Sequence, residues 1–151
     1  MYFSDLTKEF EIRSYKMFPM QENAIDELIK IYGKLPKAYV ELLQLIGSGT
    51  TAPFWRGQSF FQNDIPFLNA WANEILIENQ SKVALKTDDY VFWMSQGTMF
   101  CFFKLNNRDD PPVYLYTEND SDRFICISKS LTEFIWNYGF NHRIAFKEIS
   151  L

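Results

Sequence analysis

Five carboxylates fall between positions 109 and 122: Asp109, Asp110, Glu118, Asp120 and Asp122, with Arg108 and Arg123 just outside them. Acidic residues at this density suggest a cation site, a metal-assisted hydrolase or a surface for a basic partner. Asp120-Ser121-Asp122 begins like a calcium loop. Phe124 and Ile125 then stand where that loop needs an oxygen ligand and the sharp-turn glycine, so calcium is not expected. Two readings remain. The acids are solvated turns at either end of a Pro112–Thr117 strand, or they are a protein-binding edge. A strand of about 20 Å between them makes two poles instead of one patch.

The other chemistry-bearing residues are sparse. The single histidine, His142, sits in a polar Asn-His-Arg context, which suits an exposed or capping role better than a general base. HExxH, paired CxxC, GxxxxGK[ST] and GxGxxG patterns are absent, so zinc, P-loop and dinucleotide chemistry lack their motifs. Gly47-Ser48-Gly49-Thr50 follows a helix pattern instead of preceding one, and anions bind at helix N-termini. No catalytic, metal-binding or cofactor-binding residue is assigned, and the expectation is a chain that is not an enzyme. Trp55-Arg56 is a further candidate contact, because these types supply much of the energy at interfaces. The alternative for Trp55 is a ring folded back onto the core. Tyr114 and Tyr116 pose the same question.

The elements that must position these residues are legible from pattern. The chain has 151 residues, 47% apolar and 18% aromatic, enough for one domain over 1–151 that buries roughly 70% of its extended surface. The charge is −4 and the 15 Lys and Arg are scattered. Direct nucleic-acid binding is therefore not expected, and an acidic surface favours basic partners. Cys101 and Cys126 lie in apolar strand patterns, as small buried hydrophobes or, alternatively, a cross-strand disulfide. No stretch approaches the roughly 18 apolar residues of a membrane span. The first residues do not resemble a signal peptide, so a cytoplasmic protein is expected.

Apolar spacing predicts helices over Gln21–Tyr32 and from Leu35-Pro36 to Ile46, the second with Pro36 at its first position. A third is predicted from Asp64 as N-cap, and a last one opens on the capping box Ser130-Leu131-Thr132-Glu133. Phe10–Phe18 and Arg143–Ile149 are each an edge strand or an irregular arm. Tyr90–Leu105 reads as a hairpin turning at Gly97. Neither of its strands alternates, so both faces are expected to be at least partly covered. Tyr90, Phe92 and Met94 are assigned to one face and Val91 and Trp93 to the other. The fold class is α+β: an antiparallel meander with an N-terminal helical pair, a middle helix and a C-terminal helix packed on it.

Three elements in order resemble the SUKH superfamily, which includes a yeast cell-wall-synthesis regulator and many bacterial immunity proteins. They are the joint from Ile25–Gly33 into Leu35-Pro36-Lys37-Ala38-Tyr39, and the glycine-rich exit Ile46-Gly47-Ser48-Gly49. The third is the core from Tyr90-Val91-Phe92 through Gly97 to Phe102-Phe103, followed by Pro112-Val113-Tyr114 and the Ser130–Tyr138 helix. The match covers about residues 21–138. Ala38 and Thr98 depart from the polar or acidic residues frequent at those positions in the family. The resemblance implies a non-enzymatic domain without cofactor. It would bind and neutralise a cognate toxin, a basic nuclease or nucleic-acid deaminase, inside the cell. The rival readings are a regulatory or scaffolding module and, last, a metal enzyme built on the acidic cluster. Candidate contacts are Trp55, Arg56, Asp109, Asp110, Glu118, Asp120 and Asp122, with the oligomeric state open.

Overall fold

A computed structural model of the chain describes residues 1–139 and 145–151. From the N-terminus the elements are α1 (Ser4–Ile12), β1 (Met17–Phe18), α2 (Glu22–Tyr32), α3 (Lys37–Ile46) and β2 (Gly49–Thr50). After a 3-10 turn at Pro53–Trp55 come β3 (Gln58–Ser59), a 3-10 turn at Ile65–Phe67 and α4 (Leu68–Glu78). The chain then forms β4 (Asp89–Ser95), β5 (Met99–Lys104), β6 (Val113–Thr117), β7 (Ile125–Ser128) and α5 (Leu131–Tyr138). Strands β3 to β7 make a five-stranded antiparallel meander in chain order, and β1 pairs β2 separately. The α+β class and the four helices α2 to α5 are as the sequence predicts, with α1 in addition.

The central sheet is buried on both faces. One carries Tyr90, Phe92, Trp93, Cys101, Phe103 and Leu115 against residues of α1, α2, α3 and α5. The other carries Val91, Met94, Phe100, Phe102 and Tyr116 against α4. This explains why the hairpin strands do not alternate. The face assignment needs one correction. Val91 pairs with Phe102 and Trp93 with Cys101, so Phe92 is an extra residue on β4. A bulge of this kind reverses the parity beyond it. Trp93 therefore joins the face of Tyr90 and Phe92, and Met94 joins that of Val91.

Other differences are local. Phe3, Leu6 and Phe10 recur at helical spacing and bury one side of α1, a helix the sequence reading did not include. Pro36 is the residue before α3, extended at φ −55 and ψ 137, with Lys37 first in the helix. Asp64 gives no side-chain cap. Its backbone is already helical at φ −96 and ψ −26, whereas a capping residue is extended. Cys101 and Cys126 are free thiols. They lie on β5 and β7 with β6 between, two strand spacings apart and beyond disulfide reach. Gly47 marks a close approach, since a Cβ there would lie 2.6 Å from the Met20 Cβ and from the Leu43 carbonyl oxygen. His142 and Arg143 lie outside the described residues.

The capping box is present as predicted, with Ser130 Oγ accepting from the Glu133 backbone N–H at 3.1 Å. Ser130→Ala is expected to lower stability by about 1 kcal/mol, visible as a reduced urea midpoint at unchanged slope.

Candidate interaction surface

Strand β6 separates the two acidic turns, as its length predicts. In the turn before it, the Ala38 backbone N–H donates to the Asp109 carbonyl oxygen at 2.9 Å. The Thr132 backbone N–H donates to Asp110 Oδ1 at 2.9 Å. Both donors belong to first turns of helices, whose amides lack intrahelical partners. One turn thus closes the open ends of α3 and α5, and its negative charge suits their dipoles. Lys37 Nζ stands 3.8 Å from Asp109 Oδ2. Both residues are half-buried: Asp110 is held through its carboxylate, and Asp109 through its backbone carbonyl and the Lys37 pair.

The turn after β6 is different. Glu118, Asp120 and Asp122 are all exposed. Arg123 bridges this turn to the C-terminal segment, with Nε 2.6 Å from Asp120 Oδ2 and Nη2 2.9 Å from Glu148 Oε1. Those two carboxylates, Asp120 first, raise the affinity of the guanidinium for its proton. Asp122 Oδ1 accepts from the Lys82 backbone N–H at 3.1 Å, tying the turn to the segment after α4. Among the described residues, no group of three or more acidic, histidine or cysteine side chains is placed to hold a metal ion.

Trp55 resolves to the core alternative. It is 1% exposed, with ring centroids 4.9 Å from Phe54 and 4.5 Å from Phe60. As a contact residue it is corrected: the 3-10 turn at Pro53–Trp55 folds the indole inward and leaves only Arg56 exposed. Tyr116 is also interior, its hydroxyl 2.7 Å from Ser81 Oγ and accepting from Asn79 Nδ2 at 3.0 Å. Tyr114 is half-buried and stacks on Phe102 at 5.4 Å.

Beside the exposed acidic turn, a cavity of about 450 Å³ opens at the hairpin end of the sheet. Phe54, Trp93, Leu115 and Phe146 give it apolar walls, and Gln58, Ser95 and Thr117 add polar groups. The sequence reading did not identify this site. Its residues come from five separate stretches of chain, and only the tertiary fold brings them together. Trp93 contributes because the bulge at Phe92 turns it to this face.

Among the described residues, no helix is long and apolar enough to cross a membrane. A family model described as SMI1 / KNR4 family (SUKH-1) matches residues 19–137. That span runs from the end of β1 into α5 and takes in both turns around β6. No curated protein matches the chain.

Proposed function

The chain belongs to the SMI1/KNR4 (SUKH-1) family, and on that basis we propose that it is a protein-binding, non-enzymatic immunity protein that neutralises a cognate bacterial toxin. The toxin domain is basic, a nuclease or a nucleic-acid deaminase, and the two proteins meet in the cytoplasm. The observation that carries this reading is the exposed turn Glu118–Asp122 next to a largely apolar opening. Acidic side chains at the rim steer a basic partner and raise the encounter rate. Desolvated apolar groups beside them slow its departure. Arg56 and the turn at Asp109 and Asp110 are outlying contacts in this arrangement.

Co-expression with the toxin encoded upstream of its gene tests the reading. Growth is expected to be restored, and arrest that persists beside soluble, folded protein overturns it. Charge reversal at Glu118 and Asp120, to Lys in both, is expected to slow association by roughly ten-fold at low salt. The difference should shrink as ionic strength rises, which stopped-flow binding at two salt concentrations measures. A protein that protects against no toxin yet retains several cellular partners is instead a regulatory module.

A further inference from the structure

We propose that the cavity at the hairpin end of the sheet is a socket for a tyrosine side chain presented by the partner polypeptide. This rests on the protein-binding reading and specifies which part of the surface does the holding. Among the described residues, none that lines the cavity is ionisable, and a charged side chain would lose its hydration there without an opposite charge from them in return. The walls are aromatic. Phe54 stacks on Trp93 at 5.5 Å with ring planes 8° apart, and Phe146 meets Trp93 edge-on at 5.6 Å. An aromatic guest fits such walls by offset or edge-to-face contact.

Two polar atoms narrow the choice further. Trp93 is 2% exposed, and its Nε1 has no hydrogen-bond partner among the described residues. Gln58 Oε1 is likewise buried and unpartnered. The first is a donor and the second an acceptor, and buried groups of either kind are normally satisfied. Both residues line this one cavity. A phenolic hydroxyl accepts and donates at once, so a single tyrosine can answer both, whereas phenylalanine answers neither. Glu118 and Lys147 adjoin the lining residues Thr117 and Phe146 in the chain, and Arg56 lies between Phe54 and Gln58, all three exposed. The rim is mixed in sign, and selection among guests rests on the lining.

The test uses the full chain and N-acetyl-L-tyrosinamide, with N-acetyl-L-phenylalaninamide as the comparison. Four tryptophans give four indole N–H signals, and Trp93→Phe assigns the relevant one. Titration with the tyrosine probe is expected to move the Trp93 indole signal. Its affinity should exceed that of the phenylalanine probe by about five-fold or more, as one or two added hydrogen bonds imply. Thr117→Trp, at the half-buried mouth, is expected to abolish the shift, and Gln58→Met to remove the preference for tyrosine. No movement of the Trp93 signal, equal affinity for both probes, or shifts that persist in folded Thr117→Trp would each overturn the socket. The experiment contains no toxin, so its failure is separate from failure of the immunity reading. If wild type protects cells and folded Thr117→Trp protects equally, the socket is wrong and the immunity reading stands.

Discussion

Asp89→Ala is expected to destabilise the fold by about 3 kcal/mol, because it removes one member of a largely buried ion pair. Asp89 opens β4 and is 4% exposed. Its Oδ1 accepts from Lys104 Nζ at 2.9 Å and its Oδ2 from the Lys86 backbone N–H at 2.8 Å. Lys104 lies directly across the ladder on β5. The Asp89 carbonyl oxygen also accepts from Asn69 Nδ2, whose amide oxygen receives the Val91 N–H. One carboxylate thus pins the loop entering β4, while its own backbone ties the same corner to α4. Breaking a buried pair typically costs about 3–5 kcal/mol. The Lys104 side chain is 34% exposed and can turn to water when abandoned, which places the loss at the low end. Asp89→Asn keeps an acceptor for the Lys86 N–H and drops only the charge, so its effect should be roughly half as large. Denaturant titration reads both, with a melting temperature about 6–12 °C lower for the alanine variant. A loss below about 1 kcal/mol would mean that the pair does not hold this corner.

How much of this was legible beforehand depends on the range of the signal. Ser130 and Glu133 are three residues apart and announce their hydrogen bond in the sequence. The helices from Glu22 and Lys37 follow from apolar spacing and the breaks at Gly33 and Gly47. The hairpin follows from two apolar runs about Gly97, whose φ of +69 suits glycine. Asp89 was not singled out, because an acid after Asp88 at the edge of an apolar run looks like a solvated turn. Only the register that sets Lys104 opposite it shows otherwise. The bulge at Phe92 has no local marker such as glycine, so the parity of Trp93 and Met94 could not be read from alternation. The acidic turns show the same limit. Composition makes Asp110 and Asp120 equivalent, but Asp110 accepts from the first turn of α5 and Asp120 stands in solvent. The cavity was invisible for the same reason, since Gln58, Trp93, Thr117 and Phe146 have no periodicity in common. The family resemblance gave the order of elements and a binding role, and it could not point to a surface.

Removing one hydroxyl from the Tyr39–Tyr90 pair is expected to be worse than removing both. The two oxygens lie 2.9 Å apart in the core, where Tyr90 also stacks on Phe103 at 5.1 Å and meets Tyr32 edge-on at 5.0 Å. Tyr90→Phe leaves the Tyr39 hydroxyl buried without that partner, at a cost of about 2 kcal/mol, whereas Tyr39→Phe/Tyr90→Phe leaves no orphan and should be close to neutral. The pair also sets the response to alkali. Burial raises both phenols above their ordinary value of 10.0, and for Tyr39 the bond to Tyr90 only partly offsets it. Unfolded tyrosines begin to lose protons near pH 10 while these two keep theirs, so the folded state then binds more protons. Their contribution is fully present below that point and declines as pH rises through the folded values, by about 1.4 kcal/mol per pH unit for each phenol. Lys104 acts in the same direction from its ordinary 10.5, because the hydrogen bond to Asp89 raises its amine. Stability is therefore expected to fall steeply above pH 10. The double phenylalanine variant should fall less steeply over the same range, with the remaining slope due to Lys104 and to the thiols of Cys101 and Cys126, which burial raises above their ordinary 9.0. Urea midpoints from pH 9 to 12 for wild type and double variant decide it, and equal slopes would place the alkaline sensitivity elsewhere in the molecule.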